Sequence, residues 1–157
     1  MTLFPSIIAF YALFFICILF ALARGGGPER SGALAYLGLA AIQVASTLVV
    51  RPFYSKVDGV GLLIDSMALI IFGALALSAK RIWPIWAASL QLLALAAHFS
   101  RWIELDVEPY VYSLMKSSPT AFALVALTLG THLHRLRLKR YGTDPDWVNW
   151  KSVQVPA

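Results

Sequence analysis

The sequence predicts an all-α fold, a polytopic membrane helical bundle. Three observations carry this: 59% of the 157 residues are hydrophobic and 13% charged, the mean hydropathy is +0.72, and long apolar runs recur with brief connections between them. An ordinary soluble domain is roughly 45–50% apolar and about 25% charged. A domain of about 150 residues still exposes roughly 30% of its unfolded surface after folding, too much for this composition to present to water.

A hydrocarbon core about 30 Å thick needs about 20 residues of helix. Five stretches fit, near 3–23, 33–50, 60–79, 82–99 and 119–133. The first opens with MTLFPSII, which has no lysine or arginine. A secretory signal needs a positive leading region, so this stretch reads as a retained helix. The fifth is short, although its helix can continue through the basic residues after it; the alternative is four spans with this segment at the interface. Between the fourth and fifth stretches, Pro109 suits the first turn of a helix. Tyr110, Leu114 and Met115 supply an apolar stripe there. A short interfacial helix is therefore expected near 108–117. The organisation is a transmembrane bundle over 1–134 and a basic, Trp-bearing cytoplasmic tail over 135–157.

Charge sets the orientation. With five spans and the C-terminus inside, the cytoplasmic face holds Arg24, Arg30, Lys80, Arg81, Arg135, Arg137, Lys139, Arg140 and Lys151, nine basic residues. The outer face keeps Arg51, Lys56, Arg101 and Lys116, four. Lys and Arg concentrate in cytoplasmic loops, so the N-terminus is expected outside. The net charge of +5 is accounted for in this way and does not point to nucleic acid.

Polar residues within the spans are the candidates for chemistry. At helical spacing, Tyr36, Ala40, Gln43 and Thr47 share one face. Asp58, Gly61, Asp65, Ala68 and Phe72 share another, and Pro84, Ala87, Gln91, His98 and Trp102 a third. Asp65 falls about 8 Å inside the outer boundary at about 1.5 Å per residue. A charge in a bilayer is costly, so this acid must face the bundle, pair or be protonated. Its candidate neighbours are His98, Gln91, Gln43, Thr47, Arg51 and Arg101, a polar intramembrane cluster biased outward. Such a cluster either fixes helix packing by hydrogen bonds or handles a proton or polar ligand.

Recognisable catalytic patterns are missing. Asp58-Gly59 lacks the remaining residues of the lipid-headgroup transferase motif and suits a helix N-cap instead. His98 lies near the outer end, and His132 and His134 near the inner end, so one chain offers no facing pair for haem. There is no HExxH, GxSxG or Walker loop, and no metal site is expected. The one cysteine, Cys17, lies in an apolar run and reads as an inert buried thiol. A quinone or a lipid is the cofactor class left open. In the tail, Arg135, Arg137, Lys139 and Arg140 are placed to meet anionic lipid headgroups, each worth about 1 kcal/mol. Asp144-Pro145 reads as the start of a helical turn carrying Trp147 and Trp150, which either anchor in the interface or dock on a partner.

Asp65, the turn Lys80-Arg81, Trp83-Pro84-Ile85-Trp86, and Gln91 seven residues before His98 form a pattern. It resembles small multi-pass inner-membrane proteins of alphaproteobacteria that carry no assigned activity. The resemblance implies a bacterial inner-membrane location. Taken with the slight extramembrane mass, these readings point to a non-catalytic accessory or assembly subunit of a larger membrane complex. The alternative is a quinone- or small-molecule-binding enzyme, or a proton-coupled transporter, with its site at Asp65, His98 and Gln91.

Overall fold

A computed structural model describes residues 3–49, 59–102 and 109–149, and among these the chain forms five α-helices and no strand. They are α1 (Leu3–Arg24), α2 (Gly27–Val49), α3 (Gly59–Ser78), α4 (Trp83–Trp102) and α5 (Pro109–Tyr141). Each packs on its neighbours in the chain, α1 also meets α5, and α2 touches α5 across the middle. The result is a closed ring of helices.

Among the described residues, two helices, α2 over Gly27–Leu48 and α3, are long and apolar enough to cross a membrane; Ile8–Arg24 and Trp83–Phe99 are shorter apolar stretches. The core helix of a soluble protein is mostly buried. Here only 22% and 28% of the apolar windows of α2 and α3 are buried, unlike such a core helix.

Local chemistry explains the helix ends. The α2 helix starts well before the apolar run at 33–50 because Glu29 reaches back to the helix start, the one half of a capping box open to a glycine N-cap. Glu29 Oε2 accepts a hydrogen bond from Gly26 N at 3.1 Å, answering one of the amides a helix start leaves open. At the other end of the chain, α5 stops at Gly142, whose positive φ of 75° and N–H to Leu138 O (3.0 Å) make a left-handed C-cap.

One sequence expectation is corrected in α5. The separate interfacial helix near 108–117 is not formed; residue 108 lies outside the described residues, and from Pro109 onward the backbone is one continuous helix of 33 residues. Pro119 sits inside it, lacking an N–H but buried where neighbouring helices hold the turn. The helix also runs past residue 134 to Tyr141, continuing through the basic residues as the sequence allows.

The core is built from Phe14 and Ile18 of α1, Tyr36 of α2, Phe72 of α3 and Leu124 and Leu127 of α5. Small residues line the inward face of α4, with Ala87, Ala94 and Ala97 fully buried. Such residues let helix backbones approach closely, the usual basis of packing in lipid. Trp83, which by position would join an inner aromatic belt, is instead buried. Its indole fills the space beside Gly32 of α2 and Gly130 of α5, where any Cβ would collide with the ring. Trp86 keeps the exposed place.

Candidate functional site

Two polar clusters lie in the bundle, one between helices and one at an end. The first is built on α3 and α4. Gly61, Ala68 and Phe72 form the buried face of α3, and Asp65 sits on its margin with a side chain 13% exposed. Pro84, Ala87, Gln91, Ala94 and His98 form the buried stripe of α4. Gln91 and His98 are two helical turns apart and bracket the carboxylate. His98 Nε2 lies 3.0 Å from Asp65 Oδ2, and Gln91 Nε2 donates to Asp65 Oδ1 at 3.2 Å. The His98 side chain is 1% exposed. The acid thus has a side-chain nitrogen within hydrogen-bonding distance of each oxygen.

Other residues expected in this cluster stand apart from it. Thr47 is exposed, and its hydroxyl donates to Val44 O of its own helix at 2.7 Å. Gln43 is half-buried and makes no side-chain hydrogen bond to Asp65. Their stripe frays outward from Tyr36 because a local carbonyl satisfies Thr47 more cheaply than a cross-helix partner. Arg51 and the side chain of Arg101 lie outside the described residues.

The second cluster centres on Arg81, in the α3–α4 turn. Its side chain is 1% exposed, yet every nitrogen is engaged. Nε donates to Glu29 Oε1 at 3.0 Å. Nη1 donates to Pro145 O at 2.9 Å and to Lys80 O at 3.1 Å. Nη2 meets Asp146 Oδ1 at 2.7 Å and Asp144 Oδ2 at 3.0 Å. A planar guanidinium with five fixed donors suits such a site; a lysine could not serve it. Trp83 Nε1 also donates to Glu29 Oε1, at 3.2 Å.

His134 of α5 completes the arrangement. Its Nδ1 lies 2.6 Å from Asp144 Oδ2 and 2.9 Å from Arg81 Nη2. So short a contact to a carboxylate assigns the hydrogen to Nδ1, donated to Asp144. Arg137 Nε donates to the other oxygen of Asp144 at 3.0 Å.

These bonds fasten residues 144–148 across the bundle end. Asp146 Oδ2 accepts from Gly27 N at 2.9 Å, an N-cap for α2 supplied from the far end of the chain. Lys80 N donates to Asp146 O (2.9 Å) and Val148 N to Ser78 O (2.8 Å), forming a bridge between Ala79 and Trp147. The helical turn expected from Asp144-Pro145 is therefore absent, because both aspartates accept from the bundle rather than from their own backbone. Trp147 is extended, half exposed, and its Nε1 lies against the Gly27 backbone. Trp150 lies outside the described residues. Of the tail cations, Arg137 is bonded to Asp144, Arg135 is half-buried, and Lys139 and Arg140 are exposed.

Glu29, His134 and Asp146 offer donor atoms within 4.8 Å of one another, a set chemically suited to a metal ion. The Arg81 guanidinium already supplies the cation to two of them. Burial pushes the Asp144 carboxyl upward. The hydrogen bonds from His134 and Arg137 and the charges of Arg81 and Arg137 together outweigh it and hold the group below the ordinary carboxylate range. A lowered folded-state pKa gives stability that is present above the unfolded value and lost as pH falls through the folded one. Acidification below about pH 4 is thus expected to release the clasp before the helices melt. Hydrogen exchange at the Lys80 and Val148 amides checks this, and protection unchanged down to global unfolding would refute it.

This second cluster is not among the expectations drawn from the sequence. The available signal was that 27–30, 80–81 and 134–146, three segments at one end of an alternating bundle, carry charges of both signs. Comparisons with family models, with curated proteins and with solved structures return no match for this chain.

Proposed function

We propose that this chain is a five-span protein of the bacterial inner membrane, N-terminus outside and C-terminus in the cytoplasm, that serves as a non-catalytic accessory or assembly subunit of a larger membrane complex. The observation that carries this reading is how the surface and the polar groups are divided. The hub at the bundle end pairs its buried charges internally, while Leu48, Leu63, Ile70, Leu77 and Leu92 stand exposed on α2, α3 and α4. Such a molecule offers its surroundings apolar helix faces for lipid and neighbouring helices, and few polar groups for soluble substrates. The inner-membrane location and orientation are supported by the basic-residue asymmetry and by the alphaproteobacterial resemblance.

A second reading is favoured by the contact of Asp65 with both His98 and Gln91. An ionisable pair inside a bundle is suited to proton coupling or to holding a quinone carbonyl. One experiment separates the two. Purified natively in mild detergent, the chain is expected to arrive among other membrane subunits, and Asp65→Asn, which keeps the shape of the group, is expected to leave that assembly and its activity intact. A chain that purifies alone refutes the subunit reading. An assembly that forms normally but loses activity in Asp65→Asn moves the function to the polar triad.

A further inference from the structure

A groove of about 650 Å³ runs between α4 and α5 and ends at the α3–α4 turn. Its volume falls in the usual range for a small-molecule site. The walls are apolar over most of the length, with Trp86 and Leu90 on one side and Phe122, Val125, Leu129 and Leu133 on the other. At the hub end, Lys80 comes from the turn and Arg137 from α5. Asp144 also lines that end, but its charge is answered by Arg81 and Arg137. Lys80 is exposed, and among the described residues its ammonium makes no ion pair; Arg137 gives only Nε to Asp144 and keeps its terminal nitrogens for another acceptor.

Dimensions select the occupant. From Phe122 to Leu133 the helix rises about 16 Å, which matches the depth of one leaflet, half of a core about 30 Å thick. Arg137 lies one turn further, about 6 Å on, at headgroup level. We infer that this groove binds one anionic glycerophospholipid of the cytoplasmic leaflet, with an acyl chain along α4 and α5 and its phosphate between Lys80 and Arg137. The inference rests on the membrane reading and its orientation. The cations belong at the cytoplasmic surface, where anionic lipid lies and basic pockets between helices hold acidic headgroups.

The test is native mass spectrometry of the full-length chain in neutral detergent, titrated with phosphatidylglycerol or with phosphatidylcholine of the same acyl chains. One phosphatidylglycerol is expected to bind about 25-fold more tightly than phosphatidylcholine, from two cations contributing roughly fivefold each. Lys80→Gln is expected to weaken it about fivefold. Leu129→Trp fills the groove from an exposed position and leaves both cations in place; it is expected to abolish lipid retention with an unchanged thermal midpoint. Equal binding of the two lipids overturns the proposal, as does full retention by Leu129→Trp or a second copy of the chain occupying the groove. Carbonate extraction of the source membranes tells the failures apart. A chain that washes out removes the membrane reading and the lipid site together, whereas a chain that stays while the lipid arms fail removes the lipid site alone.

Discussion

Replacing Arg81 with methionine is expected to destabilise the bundle by about 3–5 kcal/mol, the range for removing one partner of a buried ion pair. The physical reason is what remains behind. Glu29 is fully buried and would keep only the Trp83 indole and the Gly26 amide as partners. Asp144 and Asp146 would lose the cation that lets two carboxylates converge on one side chain. Asp146 would also loosen its hold on Gly27, opening the start of α2. Thermal unfolding in mild detergent and limited proteolysis beyond Tyr141 read the two effects, and both are expected to move together. Adding Glu29→Gln to Arg81→Met is expected to restore part of the loss, because the stranded charge is then gone. An unchanged midpoint for the single variant would show that the cluster is solvated and energetically slack.

Trp83→Ala is expected to cost about 3–5 kcal/mol, through the cavity left by a large buried side chain. The indole packs edge-on against Phe72, with ring centroids 6.3 Å apart at 70°, and α2 and α5 approach it through glycine. Neither Gly32 nor Gly130 has a side chain that could swing in to fill the void, so the cavity should persist. Trp83→Phe leaves a smaller void. It keeps one aromatic ring and loses the second ring of the indole together with the Nε1 donor to Glu29, so a cost below that of alanine, about 1–3 kcal/mol, is expected. Melting curves of the two variants decide the matter. If they are equally destabilised, the ring that phenylalanine keeps is not what Trp83 provides.

The helices themselves could be read from the chain because apolar run length is a direct consequence of their surroundings. The seven-residue spacing of Gln91 and His98 likewise put both on the face of α4 that meets Asp65, since helical periodicity converts spacing into direction. The hub was hidden for a related reason. Its members come from the start of α2, the α3–α4 turn, the end of α5 and the segment after it, with no shared period, and a charge near a helix end reads first as a topology marker. Arg81 counted among the cytoplasmic cations gives no sign that it is buried, and Trp83 beside it looks like any interfacial aromatic. Residues 144–147 mislead more actively. Asp-Pro followed by tryptophan is a sound local start for a helix, but the backbone instead pairs with Ser78 and Lys80, and partners distant in sequence overrode local propensity.

The cap on α2 has a consequence for the order in which the protein matures. Gly27 and the carboxylate that receives its amide are separated by 119 positions, so α2 emerges from the ribosome long before Asp146 exists. Glu29 is made 52 positions ahead of Arg81 and stays without its guanidinium partner until the α3–α4 turn arrives. The ring of helices can therefore assemble during synthesis, but the end that carries the Arg81 cluster closes only after translation has passed residue 146. Until then the nascent chain carries an open, charged end that a chaperone or a protease can recognise.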